Sequence, residues 1–255
     1  MIKNILIGLF TLTTFDVVGQ SDTEKYLNKV LESRNRNQEN IKDELIQNDI
    51  SILFTKVNNS SVLGFIGDNY QRFRIKLVSV IRNPNNTAQY FVYGKSMVKG
   101  NVCEFQGVFE VKKAFTYKVA ESPDPIKEAD WIQGIITGEF SLFENPKQNN
   151  TGIFKGVFAS KWYRQKNGTE IKYDDIMQDS DGFNNNQFVG TWTSYKTAST
   201  KVCNWGDYRI PMSGDLDMGE GLFTPNKKYI NNGWQEYDFS SGTTLTVKVK
   251  DDWWK

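Results

Sequence analysis

The sequence predicts an all-β protein, a strongly curved antiparallel meander forming a barrel or clam, with an N-terminal α-helical segment. From residue 52 onward apolar and polar residues alternate in short runs separated by turn residues, which is the period of β-strands. Five segments between residues 105 and 192 also place a glycine between two apolar residues, as in Phe105-Gln106-Gly107-Val108-Phe109. The other four copies are centred on Gly134, Gly138, Gly156 and Gly190. Because residues two apart share a strand face, each glycine lies in a buried row, where it permits bending and flanking rings can cover it.

The first residues have the pattern of a processing signal. An apolar run at residues 5–10 follows a basic residue, and Val17 and Gly19 supply small residues before a cleavage site ahead of Gln20. The apolar run is too short for a membrane-spanning helix, and no later segment approaches the required length. We therefore predict a signal peptide over residues 1–19 and a secreted or periplasmic protein without a membrane span.

Residues 20–50 are predicted to form the helical segment. Ser21 is a good N-cap, and Glu24 completes a capping box three residues later. An apolar stripe at helical spacing follows, but the wholly polar stretch 34–40 interrupts it. The pattern predicts one broken helix, or two, within residues 22–47, lying against the barrel or plugging one end.

Residues 51–255 are predicted to form a single barrel-like domain. Residues 73–77 show the alternation clearly, with apolar residues separated by Arg and Lys, and Asn167-Gly168 is a strong hairpin signal. Residues 203–239 form a loop-rich, polar C-terminal part, and the alternating stretch 243–249 is expected to close the sheet.

Two cysteines, Cys103 and Cys203, occur in the whole sequence. An even number of cysteines in an exported chain favours a disulfide bond. That bond would close a loop of about a hundred residues, which is worth on the order of 4–5 kcal/mol in the chain-entropy treatment. The alternative is two buried free thiols.

Composition excludes several classes of function. The chain has 31 Lys and Arg against 30 Asp and Glu, so nothing indicates a nucleic acid or an anionic membrane as partner. Histidine is absent, which excludes Ser-His-Asp and Cys-His triads and imidazole metal sites. The sequence Asp179-Ser180-Asp181-Gly182 lacks the remaining ligand spacing of an EF-hand and is typical of an Asx-rich turn. No catalytic residue, metal or cofactor is predicted.

The densest group of polar and aromatic residues lies between residues 204 and 221. Irregular segments on a rigid β scaffold commonly carry recognition, with Trp and Tyr as stacking surfaces and charged groups orienting polar atoms. The predicted ligand-binding residues are Trp192, Trp205, Asp207, Tyr208, Arg209, Asp215, Asp217 and Trp234. This pattern favours a non-catalytic protein that binds a small hydrophobic molecule or a glycan. The alternative is a hydrogen-bonded loop whose charges satisfy one another.

Two further functions stay open. A secreted carbohydrate-active hydrolase would need two carboxylates facing one cleft, chosen from Asp207, Asp215, Asp217 and Glu220. A structural or envelope-associated interaction protein would need no cleft, only an exposed apolar patch.

The segment Phe188-Val189-Gly190-Thr191-Trp192 resembles the Gly-x-Trp signature of lipocalin-type and related calycin barrels. Those proteins are small-ligand carriers with closed antiparallel sheets, so the resemblance implies such a barrel here. In that family the motif lies on the first barrel strand, whereas most of the strands predicted in this chain precede it. No binding residue is transferred from the family.

Overall fold

The computed structural model describes residues 21–33, 35–123, 130–237 and 252–255. The predicted signal peptide and the stretch 243–249 lie outside these residues. Within the described residues, nine antiparallel strands form one sheet. They are β1 (Val62–Ile66), β2 (Gln71–Asn83), β3 (Asn86–Val98), β4 (Asn101–Thr116), β5 (Trp131–Glu144), β6 (Gly152–Gln165), β7 (Lys172–Tyr173), β8 (Asn185–Ser194) and β9 (Thr200–Asp207).

Eight of these strands close into a ring. Strands β1 to β6 pair in chain order, β8 pairs with β6, and β9 pairs with both β8 and β1. The short β7 extends only one end of β6 through Trp162 and Tyr163. The all-β, strongly curved antiparallel meander is thus confirmed, and the pairing of β1 with β9 closes it.

The glycine-centred rows allow close approach between neighbouring strands. Gly134 lies opposite Trp162, and Gly138 lies opposite Phe158, in the pairing of β5 with β6. A Cβ atom on Gly138 would lie 2.3 Å from the carbonyl oxygen of Glu110 and 2.4 Å from Cζ of Phe158. The ring that covers each of these glycines therefore comes from the facing strand, rather than from the flanking residues of its own strand.

Aromatic rings fill the middle of the barrel. Trp205 is 2 % exposed and stacks on Phe188, with ring centroids 4.7 Å apart and planes at 10°. The other fully buried rings of this core belong to Phe73, Tyr90, Phe105, Phe109, Phe154, Phe158 and Trp162. The central part of the barrel is therefore packed with side chains.

Helices occupy the outer wall and one end of the barrel. They are α1 (Asp22–Leu31), α2 (Lys42–Leu45), α3 (Ile52–Thr55) and the 3₁₀ turns Asn59–Ser61, Lys227–Asn232 and Gln235–Tyr237. The predicted capping box of Ser21 and Glu24 is present, and α1 packs on β6 and β8 through Tyr26. Phe54 of α3 enters one end of the barrel, with its ring centroid 5.1 Å from that of Phe109. In the described part of the chain, no helix combines the length and apolar character needed to cross a membrane.

The C-terminal loops pack on the outer wall near β1 and β2. Trp234 is fully buried there, and its indole N–H donates to the carbonyl oxygen of Tyr70 at 2.7 Å. The guanidinium of Arg72 lies 4.7 Å from the Trp234 ring centre. Arg72 also donates hydrogen bonds to the carbonyl oxygens of Gly64 and Phe73. This part of the chain therefore covers the wall of the barrel.

The predicted disulfide bond is wrong. Cys103 on β4 and Cys203 on β9 are both buried free thiols. Their strands are four steps apart in a ring of eight, so the two cysteines lie on opposite walls of the barrel. A disulfide needs Cα atoms within about 7 Å of each other. Burial raises the pKa of Cys103 to about 11 and raises that of Cys203 as well, so both thiols stay protonated at neutral pH.

Candidate functional site

One end of the barrel is an open mouth. Four strand connections meet there, at residues 67–70, 99–100, 145–151 and 195–199. They surround a cavity of about 700 Å³. The other end holds α3, so the mouth is the end through which a molecule can enter.

The wall of the mouth cavity combines apolar and polar side chains. Phe154 forms part of its floor and packs on Phe73 in the core, with ring centroids 5.4 Å apart. The other apolar side chains are Ile66, Val98, Cys103 and Trp192. The polar side chains include Gln71, Ser96, Asn101 and Glu144, with Asp68, Lys99 and Lys201 also lining the cavity.

Glu144 is a buried acid in this wall, with 3 % of its surface exposed. Its Oε1 accepts a hydrogen bond from the Ser96 hydroxyl at 2.5 Å. Its Oε2 accepts one from the Trp192 indole at 2.9 Å and one from the Gly152 N–H at 2.8 Å. Burial raises the pKa of Glu144, although these three donors favour the charged form. The carboxylate is thereby fixed in orientation and can accept one more hydrogen bond.

Strand periodicity explains why these polar groups face the cavity. Phe140, Leu142 and Glu144 occupy alternate positions of β5 and are all buried. Val92 and Ser96 share the corresponding row of β3. The site is therefore built where a polar residue takes a place in an otherwise apolar row near the mouth end of each strand. Our sequence reasoning missed Glu144 and Ser96, and the signal that reveals them is a polar residue within a buried row, at its last position in β5 and one place before Val98 in β3.

Asp207, a predicted ligand-binding residue, lies near the plugged end. Its Oδ2 accepts from the Tyr173 hydroxyl at 3.0 Å and from Asn186 Nδ2 at 2.7 Å. The same Asn186 amide donates to the carbonyl oxygen of Leu53 in α3 at 2.7 Å. Burial raises the pKa of Asp207 to about 7. This network joins α3 to the barrel.

The charged residues predicted in the C-terminal loop form two separate ion pairs. Arg209 pairs with Asp217 at 2.6 Å and also donates to three loop carbonyl oxygens. Asp215 is exposed and pairs with Lys228, while its Oδ1 accepts from the Tyr229 hydroxyl at 2.9 Å. These contacts match the alternative in which the loop's charges satisfy one another.

The structure does not bring the eight predicted ligand-binding residues together. Trp192 lines the mouth, Trp205 belongs to the core, and Trp234 covers Arg72 on the outer wall. Tyr208 packs its ring against Phe183, with centroids 5.1 Å apart. The remaining four are the charged residues described above. The seven residues other than Trp192 lie away from the mouth cavity. A ligand-binding role for them stays a prediction.

The fold and this site define an antiparallel β-barrel that is plugged at one end and open at the other. No protein-family model, curated protein or solved structure matches this chain. Gly190 and Trp192, which carry the resemblance to lipocalin-type barrels, lie on β8, the seventh strand of the ring. The barrel-like architecture is present, and no match supports that family specifically. Among the residues described, no three thiols or carboxylates form a group that can hold a metal ion.

Proposed function

We propose that this protein is a non-catalytic binding protein that takes a small molecule into the mouth of its barrel. The observation that carries this proposal is the cavity of about 700 Å³ with Glu144 held in its wall. Small-molecule sites commonly have volumes of about 300–1,000 Å³ and occur in the mouths of β-barrels.

The chemistry of the wall favours a glycan over a purely hydrophobic molecule. A sugar ring presents an apolar face, which suits Trp192 and Phe154, together with hydroxyl groups, which suit Gln71, Asn101 and Glu144. The side-chain amide nitrogens of Gln71 and Asn101 already donate within the protein, but their oxygens accept no hydrogen bond from the described residues. A purely hydrophobic ligand would separate these oxygens from water without replacing it. Each such group would cost about 1–3 kcal/mol. We therefore infer a saccharide of one or two rings as the ligand.

The hydrolase alternative has less support from the predicted carboxylates. Asp207 lies in a hydrogen-bond network near the plugged end, and Asp215 lies in an exposed ion pair of the C-terminal loop. Asp217 is held by Arg209. Neither these three residues nor Glu220 line the mouth cavity.

The test is a binding screen of the mature chain against a saccharide panel and a fatty-acid panel. Val98 points into the mouth, and Met97 precedes it on the opposite face of β3. We expect Val98→Trp to fill the cavity and weaken binding of any saccharide at least tenfold, and Met97→Trp to leave it unchanged. If Val98→Trp bound the saccharide as tightly as the unchanged protein does, the ligand would have to bind outside the mouth cavity. Binding of fatty acids alone would favour the hydrophobic carrier, and no binding at all would favour the structural role.

We also propose that the protein is exported. The apolar run at residues 5–10 and the small residues Val17 and Gly19 support cleavage ahead of Gln20. Expression with the native N-terminus should yield a protein outside the cytoplasm that begins at Gln20. An uncleaved chain in the cytoplasm would contradict this proposal.

A further inference from the structure

A second cavity, of about 590 Å³, lies on the outer face of the barrel between α1, β6 and the start of the C-terminal loops. Its apolar wall includes Val30 of α1, Ile135 of β5 and Ala159 of β6. Four basic residues also line it: Lys25, Lys29, Lys161 and Arg209. Among the described residues that line this cavity, none is acidic. The cavity therefore combines an apolar surface with a positive charge.

Lys161 is the least expected of these basic residues. It lies on β6 directly opposite Ile135 of β5, on the outward face of the sheet. Within the part of the chain that the structure describes, its ammonium group makes no hydrogen bond and has no carboxylate oxygen within 4.0 Å. Burial lowers the pKa of Lys161, and the more distant charges of Asp174 and Glu121 only partly oppose that effect. An ammonium that is partly withdrawn from water without a partner costs free energy, and the distant charges of Asp174 and Glu121 offset only part of that cost.

Two tyrosine side chains line the same cavity. Tyr26 of α1 and Tyr117 just after β4 make no side-chain hydrogen bond to any of the residues described. Burial raises the pKa of both, so each hydroxyl remains a hydrogen-bond donor at neutral pH. Together with Lys161, they provide three donors that have no acceptor in the described protein.

We propose that this cavity binds an organic oxyanion, in which a carboxylate, sulfate or phosphate group is attached to an apolar body. The oxygen atoms would accept from Lys161 and from the hydroxyls of Tyr26 and Tyr117. The apolar body would pack on Val30 and Ile135. Lys29 of α1 adds positive charge that attracts such a ligand, whereas the charge of Lys25 is paired with Asp22 at 3.4 Å. This proposal is independent of the saccharide site at the mouth.

The test uses 1-naphthalenesulfonate as the probe, measured by isothermal titration calorimetry on the mature protein. Lys161→Met removes the charge and keeps most of the side-chain length. Its control is Lys155→Met, an exposed lysine on the same face of β6 that does not line the cavity. We expect at least a tenfold weaker Kd for Lys161→Met and an unchanged Kd for Lys155→Met. An unchanged Kd for Lys161→Met, or an equal loss in both variants, would overturn the proposal.

Three further measurements keep the proposal falsifiable if Lys161→Met does not fold. Tyr117→Phe removes only a hydroxyl group and should weaken the probe several-fold, whereas an unchanged Kd would count against the site. The neutral compound 1-naphthalenemethanol should bind at least tenfold more weakly than the sulfonate, and equal affinity would show that the anion is not recognised. Val98→Trp, which fills the mouth, should leave the sulfonate's Kd unchanged. Loss of binding in that variant would place the probe in the mouth and overturn the proposal.

Discussion

Because Gly138 has no side chain, the ring of Phe158 on the paired strand β6 can lie directly over it. A Cβ atom there would lie 2.3 Å from the Glu110 carbonyl oxygen, which belongs to the backbone and cannot move without disturbing β4. We therefore expect Gly138→Ala to lower the free energy of unfolding by about 3 kcal/mol. Urea unfolding followed by tryptophan fluorescence measures this change.

Gly168 provides the matched control for that substitution. Its nearest neighbour to an added Cβ is the Cβ of Gln165 at 3.4 Å, an ordinary contact. Gly168→Ala should change the free energy of unfolding by less than about 0.5 kcal/mol. If both variants lost a similar amount of unfolding free energy, the close approach of the strands would not be the reason that position 138 needs a glycine.

Asp207 makes stability depend on pH. Burial raises its pKa to about 7 from the ordinary value of 3.8, so between these values the folded protein binds more protons than the unfolded chain. Stability is therefore lost as pH rises from about 4 to about 7. The pKa values of Asp174, raised to about 6, and of Glu144, also raised, act in the same direction.

We expect the free energy of unfolding to be higher at pH 5 than at pH 8, with Asp207 contributing on the order of 2 kcal/mol to the difference. Asp207→Asn should reduce that difference, because the amide cannot ionise. The exposed residue Asp43 gives the control, and Asp43→Asn should keep the full difference. Chemical unfolding at the two pH values provides the measurement. A difference that is the same in both variants would mean that Asp207 ionises in the folded protein as it does in the unfolded chain.

At the level of elements, Phe54 shows how α3 stabilises the plugged end. Its ring centroid lies 5.1 Å from that of Phe109, 5.4 Å from that of Phe158 and 6.3 Å from that of Tyr90. Phe54→Ala removes these contacts and should lower the free energy of unfolding by about 3–5 kcal/mol. Thermal unfolding should show a lower midpoint, whereas Ile52→Ala, at a residue of the same helix that is 47 % exposed, should have little effect. Equal midpoints for Phe54→Ala and the unchanged protein would show that α3 does not stabilise the barrel.

The elements themselves are largely predictable from local sequence. Period-two alternation identifies strands because one face of each strand is buried, and the capping box at Ser21 forms as the sequence indicates. The polar stretch that interrupts the helix can also be recognised in the local sequence, but the partners of that stretch cannot. The backbone N–H of Asn37 donates to the carbonyl oxygen of Thr116, and Asn40 Oδ1 accepts from the N–H of Ala114. Sequence shows the polar stretch, and only the fold shows that it pairs with the end of β4.

At the level of the whole molecule, the position of the site depends on contacts between distant parts of the chain. Our sequence reasoning placed seven of the eight candidate site residues between Trp205 and Trp234, where polar and aromatic residues are dense, and the eighth at Trp192. In the structure, Trp234 and the ion pair of Arg209 with Asp217 stabilise the outer wall and the C-terminal loop. The mouth is assembled from four short connections spread over more than a hundred residues, and no local pattern marks them as neighbours. Glu144 is the exception, since it continues a buried row.

The closure of the barrel also determines the state of the two cysteines. Cys103 and Cys203 lie on opposite walls, so even an exported protein in an oxidising compartment should keep both as thiols. In the native protein, iodoacetamide should react slowly at neutral pH, because burial raises the pKa of each thiol and the reactive thiolate is scarce. In denaturant without any reductant, mass spectrometry should show two adducts per chain. Labelling that requires a reductant would mean that the cysteines are bonded, and the ring of strands could not then have the order described.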